Sequence, residues 1–127
     1  MRFRHDQHLR RASDIRAVRE RGRRLECRAF TIWWRRRDPA TVPVPAGGGP
    51  RVCVIASTAA VGGATHRNRA KRRLREVFRH RQREAPAGCD MLLIARSAVN
   101  VWPISELEQK FSEACRQIPP PAPAASS

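Results

Sequence analysis

No segment of the sequence approaches the roughly 18 to 20 consecutive apolar residues that a membrane-spanning helix needs. The basic start MRFRHDQHLRR is not followed by the apolar stretch of about 7 to 15 residues that would make it a secretory signal, so the expected location is the cytoplasm. Cysteine is sparse and badly spaced for metal work. Cys27, Cys53, Cys89 and Cys115 include no CxxC pair and no Cys–His pairing at zinc spacing, so they read as reduced structural thiols rather than metal or redox groups. Acidic residues are few and scattered, 11 against 26 Lys and Arg. That leaves no carboxylate clamp for a metal and no acid–base set, which argues against a protein nuclease acting alone. There is no G-x-S-x-G elbow, and Gly47 to Gly49 precede a strand rather than a helix, so they are turn residues. Lysine itself is nearly missing. Only Lys71 and Lys110 accompany the arginines, whose guanidinium fork suits bidentate phosphate contacts.

What is present is positive charge. The chain has 127 residues and a formal net charge of +15, with 41% apolar residues, 4 Phe and 3 Trp, enough for one modest core. The charge falls in two blocks. Residues 1–37 carry 13 basic and 4 acidic side chains, net +9, and residues 64–83 carry 9 and 1, net +8, while the remainder sums to about zero. Two such patches call for a polyanionic partner, nucleic acid before a membrane surface. A membrane-surface helix fits poorly, because the apolar stripe of the second block is needed for the core.

Along the chain, residues 1–12 read as a mobile basic arm and 119–127 as a disordered Pro/Ala/Ser tail, leaving a single domain at 13–118. Ser13 and Asp14 ahead of Ile15 and Val18, with Gly22 beyond, predict a short capped helix over 13–21. RAFTIWWRRR, 28–37, alternates as a strand with Phe30, Ile32 and Trp34 on one face and Thr31, Trp33 and Arg35 on the other. The Pro- and Gly-rich stretch after it is a loop. The apolar runs RVCVIAS (51–57) and DMLLIAR (90–96) predict strands covered on both sides. A helix over 65–83 lies between them. Ile104, Leu107, Phe111, Cys115 and Ile118 predict a docked C-terminal helix over 104–118, with Ser105 as its cap.

The helix between the two runs is the most informative element. At about 100° per residue, Ala70, Leu74, Val77 and Phe78 form a core stripe, while Asn68, Arg69, Arg72, Arg75, Arg79 and Arg83 form the opposite ridge. Solvated helices interleave acids with bases at i,i+4; this one offers only Glu76, placed to orient a neighbouring arginine, so the ridge asks for a polyanion.

The string RNRAKRRLRE, 67–76, resembles the RNR signature of the bacterial ribonuclease P protein subunit. LRRASDIRAVRERGRRLECRAF resembles that family's first helix, glycine turn and first strand, GPRVCVIAS and CDMLLIAR its strands on either side of the motif, and PISELEQKF its last helix. The resemblance covers about 8–118 in order. It implies an α+β fold, a two-layer α/β sandwich with a small, mostly antiparallel sheet of about four strands and three helices, and a left-handed crossover at the RNR helix. It further implies a subunit that binds a catalytic RNA and the 5′ leader of precursor tRNA, with the magnesium ions bound mainly by the RNA, no catalytic residue or metal site in the protein, and no protein partner required. By the same resemblance Arg67, Asn68, Arg69, Lys71, Arg72, Arg75 and Arg79 meet the RNA subunit, and Arg16, Arg19, Phe30, Trp33 and Arg35 line the leader cleft.

Trp33 is the best stacking candidate, with packing beneath a helix as the competing reading. Ile15 and Arg19 stand where the family commonly has cleft aromatics, which shifts the expected leader contact from stacking toward charge. Thr58 and Ala59 replace the family's usual lysine pair. His5 and His8 lie in the arm, and His66 sits where it could touch phosphate. A general RNA-binding protein, ribosomal-protein-like or an RNA chaperone, shares the charge and size but not the ordered match.

Overall fold

A computed structural model describes residues 12–36, 50–86 and 88–118. The expected tail lies outside these residues, as does the arm except for Ala12 and the connecting loop except for Pro50. Four helices, α1 (Ala12–Arg21), α2 (Thr58–Val61), α3 (Ala64–Arg81) and α4 (Ile104–Gln117), accompany four strands, β1 (Arg23–Glu26), β2 (Phe30–Arg36), β3 (Arg51–Ile55) and β4 (Cys89–Ala95). The sheet runs β1-β2-β4-β3, antiparallel except for the parallel pair β3/β4. A parallel pair needs a crossover, and α2 and α3 supply it.

One sheet face carries the core. Phe30, Ile32, Met91 and Leu93 are fully buried on it, with Trp34 and Val52 nearly so. They meet the predicted stripe of α3, Ala70, Leu74, Val77 and Phe78, and Leu107, Phe111 and Cys115 of α4. Phe78 and Phe111 pack edge to face at 6.2 Å. Each such side chain contributes about 1.5–3 kcal/mol by leaving water. Helix α1 crosses the opposite face, where Val18 is its one buried residue.

Several expectations shift. β3 is an edge strand, so Cys53, Val54 and Ile55 are only half-buried and β4 alone is covered on both sides over most of its length. Neither predicted serine cap acts as one. Ser13 already lies inside α1, and Pro103 occupies the N-cap of α4, ahead of Ser105. A side-chain cap is instead made by Ser57, whose Oγ accepts from the Ala60 N–H at 3.1 Å to start α2. The strand expected from residue 28 begins at 30, because Cys27–Ala29 turn the chain between β1 and β2 with Arg28 at φ 64°. The long helix ends at Arg81 and tightens into a 3₁₀ turn over 82–84.

Candidate nucleic-acid interface

Because its apolar stripe is fully buried, α3 presents the ridge outward. Asn68, Arg69, Arg72 and Arg75 are exposed, Arg67 and Lys71 half-buried, and Arg83 is exposed on the following turn. The positive charge is handled differently at the two ends. Near the C-terminus Arg79 pairs with Glu76, as expected of that acid, while Arg81 and His80 reach Glu108 of α4 at 3.1 and 2.8 Å. Nearer the N-terminus, Arg69, Arg72 and Arg75 form no ion pair with any described residue. Two open hollows flank them. One of about 410 Å³ is lined by Arg69, Arg72, Arg73, Glu76 and Ile104, and one of about 540 Å³ by Thr65, Asn68, Arg69, Arg72 and Arg75. Arg69 and Arg72 thus stand between two concavities, each open to an anion.

Arg73, absent from the predicted ridge, has a structural task. Its guanidinium donates to the carbonyls of Val99, at 2.7 Å, and Trp102, clamping the 97–102 segment to α3. Burial, and then the Arg69 charge, depress its pKa below the ordinary arginine value. His66 is exposed at the start of α3, where its backbone carbonyl accepts from Asn100 Nδ2 at 3.1 Å.

The second region is the sheet face under α1. By strand alternation and register, Arg35, Asp90 and Arg51 form one row across it, Trp33, Leu92 and Cys53 the next, and Thr31, Ile94 and Ile55 the third. Val18 and Leu92 are fully buried together, with Ile15, Trp33, Cys53, Ile55 and Ile94 partly buried around them. The Arg19 guanidinium lies 5.3 Å from the centroid of the Trp33 ring. Trp33 is therefore off the main core, half-buried, with its ring partly covered by that cation. Arg16 is exposed and Arg35 half-buried. Phe30 corrects the expected cleft list. At 0% exposure on the core face with Ile32, it offers no surface to a ligand. Burial raises the Cys53 thiol pKa, opposed by the charges of Lys71 and Arg75.

A family model described as Ribonuclease P matches residues 3–119. The chain belongs to the ribonuclease P family. A ribonuclease P protein component of Acidothermus cellulolyticus is 35% identical over 103 residues, 81% of this chain and 80% of that one. One from Pseudomonas paraeruginosa is 39% identical over 69 residues, 54% of this chain and 50% of the relative, so the chain spans about half the length of such relatives. The ribonuclease P protein of Thermotoga maritima superposes with TM-score 0.72 at 22% identity, covering 88% of this chain and 97% of that one. That of Staphylococcus aureus gives 0.67 at 17%, covering 87% and 93%. These two share the fold.

The string RNRAKRRLRE occupies nearly three turns of α3, within a helix that buries Ala70, Leu74, Val77 and Phe78. What sequence reasoning missed is a polar row. Arg51 opens β3 and Asp90 lies at the matching position of β4, and the two make a bidentate pair, Nε–Oδ1 and Nη2–Oδ2 both 2.8 Å. A signal existed, since RVCVI and DMLLI put opposite charges at the same offset before apolar runs of like length. Hydrogen bonding to Asp90 raises the Arg51 pKa further, so it is charged at every working pH.

Proposed function

We propose that this chain is the protein subunit of a ribonuclease P ribonucleoprotein, binding a catalytic RNA through the α3 ridge and the 5′ leader of precursor tRNA on the sheet face beneath α1. The observation that carries the reading is the set Arg69, Arg72 and Arg75 inside the family's signature helix, without an ion pair among the described residues and flanked by open hollows. Guanidinium groups held on a rigid helix meet backbone phosphates with little further loss of freedom. The half-buried Trp33 beside Arg19, with Arg16 and Arg35 nearby, provides an aromatic plane and cations of the kind that hold unpaired nucleotides.

The chemistry is assigned to the RNA. Among the described residues no group of three or more His, Cys, Asp or Glu is placed to hold a metal ion, and in this reading the RNA holds the magnesium ions. No described helix is long and apolar enough to cross a membrane, and a cytoplasmic location accords with a tRNA substrate. The test is reconstitution: the purified chain with a catalytic-type ribonuclease P RNA at low magnesium, assayed on precursor tRNA. Leader removal is expected only with both components, at lower magnesium than the RNA alone requires. Cleavage by rigorously RNA-free protein would overturn the assignment. RNA binding without stimulation of cleavage would favour a general RNA-binding protein.

A further inference from the structure

Helix α1 is held to the sheet at three places. At its C-terminal end the Gly22 N–H donates to the Val18 carbonyl at 2.8 Å, and a Cβ on Gly22 would lie 2.6 Å from the Trp34 carbonyl oxygen, so the backbones nearly touch. In the middle Val18 meets Leu92 and Arg19 covers Trp33. At the N-terminal end the polar contact is Asp14, whose carboxylate is 3.8 Å from Arg51 Nη2. Arg51 is not a free side chain. Its bidentate pair with Asp90, which is 6% exposed and its register partner on β4, fixes the guanidinium plane from the sheet. The cation that meets Asp14 is thus already oriented before the helix arrives.

We propose that Arg51 is a positioning residue: anchored on Asp90, it latches the N-terminal turn of α1 through Asp14 and thereby sets the angle of that helix over the half-buried Trp33. The inference rests on the reading of this face as the leader site. Asp14 and Gly22 are eight residues apart, about 12 Å along a helix. A pivot of about 10° around the Gly22 end would therefore move the Asp14 turn by roughly 2 Å, a large fraction of the thickness of one stacked base. Asp14 in the first turn also favours the helix dipole, but that effect needs no partner on the sheet and would persist without Arg51.

The test uses Asp14, because changing Arg51 would also break its bidentate pair with the buried Asp90 carboxylate. In Asp14→Ala and Asp14→Lys the Arg51–Asp90 pair persists. A part-exposed ion pair is worth little, so the Ala variant in the reconstituted holoenzyme is expected to lose about twofold to fivefold in precursor tRNA affinity, and the Lys variant more, by repulsion from Arg51. Mature tRNA and RNA-subunit affinity should stay within about twofold, and Asp14→Glu should recover most of the loss. In the free protein, amide exchange over residues 15–18 should quicken in Asp14→Lys while β4 amides stay unchanged. If Trp33→Ala alters the precursor-to-mature ratio and the Asp14 variants do not, the latch is wrong and the leader site stands. If Trp33→Ala also leaves the ratio unchanged, the leader reading fails, and unchanged exchange in Asp14→Lys then rejects the latch on its own.

Discussion

Single side chains in this protein divide into those that commit their charge to the fold and those that keep it for a partner. Arg73 commits it, donating to the backbone carbonyls of Val99, within the 97–100 turn, and Trp102, just beyond it. Hydrogen bonds from a charged donor contribute about 1.5–3 kcal/mol each and these two are only part-buried, so Arg73→Met should lower unfolding stability by about 3 kcal/mol, the bottom of the summed range, in urea titration, whereas Arg72→Met should leave it within about 0.5 kcal/mol. Equal effects would mean that the clamp is not formed. The thiols make a second residue-scale prediction. Burial pushes Cys27 and Cys115 up to about 12. Below about pH 9 both thiols are neutral in folded and unfolded chains and leave stability independent of pH. Above it the unfolded chain releases protons that the fold retains, so stability falls as pH rises from about 9 toward 12, by up to about 1.4 kcal/mol per pH unit per thiol. Cys27→Ala/Cys115→Ala should flatten that slope, measured by chemical denaturation at pH 8 and 10.5.

At the scale of elements, α1 depends on a glycine for closeness rather than for an unusual dihedral. A Cβ at Gly22 would meet the Val18 carbonyl oxygen at 2.2 Å and that of Trp34 at 2.6 Å, both backbone atoms that cannot swing aside. Gly22→Ala should therefore destabilise by about 1–3 kcal/mol and raise amide exchange through α1, read by hydrogen exchange. The sequence placed Gly22 after the helix correctly, but as a cap; the approach of β2 that makes it obligatory is a tertiary contact no local pattern encodes. α3 was legible because one 3.6-residue period sorts its core stripe from its ridge, and all four stripe residues are buried. The place of β3 in the sheet was not legible, since an apolar run reads alike at an edge and a centre. β1, with only Leu25 of its four residues apolar, carried no strand periodicity, its strand being suggested by the resemblance alone, and forms by pairing with β2. Phe30 shows a further limit. Its strand face was readable from Ile32 and Trp34, and that face, rather than family position, decides its burial.

On the whole molecule, cations among the described residues gather in two regions, the ridge of α3 with Arg69, Arg72 and Arg75 and the sheet face beneath α1 with Arg16, Arg19 and Arg35 around Trp33. If they serve different RNAs, substitutions should separate. Arg69→Ala/Arg72→Ala touches no core residue and should weaken RNA-subunit binding with the fold intact, lowering the log–log salt slope by about 0.7–0.9 for each phosphate no longer neutralised. Trp33→Ala should do the reverse, sparing assembly and weakening precursor tRNA. Aromatic stacking on an unpaired base contributes about 1–3 kcal/mol, and the lower half of that range applies, because Arg19 covers the ring and Ile15 adds no second aromatic. That corresponds to roughly fivefold to thirtyfold in precursor affinity. Mature tRNA has no leader and should change by less than about twofold in the same holoenzyme. Because Trp33 is half-buried beside Val18 and Leu92, its removal also loosens α1, so Trp33→Phe is the control. It retains a ring for stacking and packing, and should recover most of the precursor affinity. Equal losses for precursor and mature tRNA in Trp33→Ala would place the residue at the RNA-subunit interface instead and remove it from the leader site.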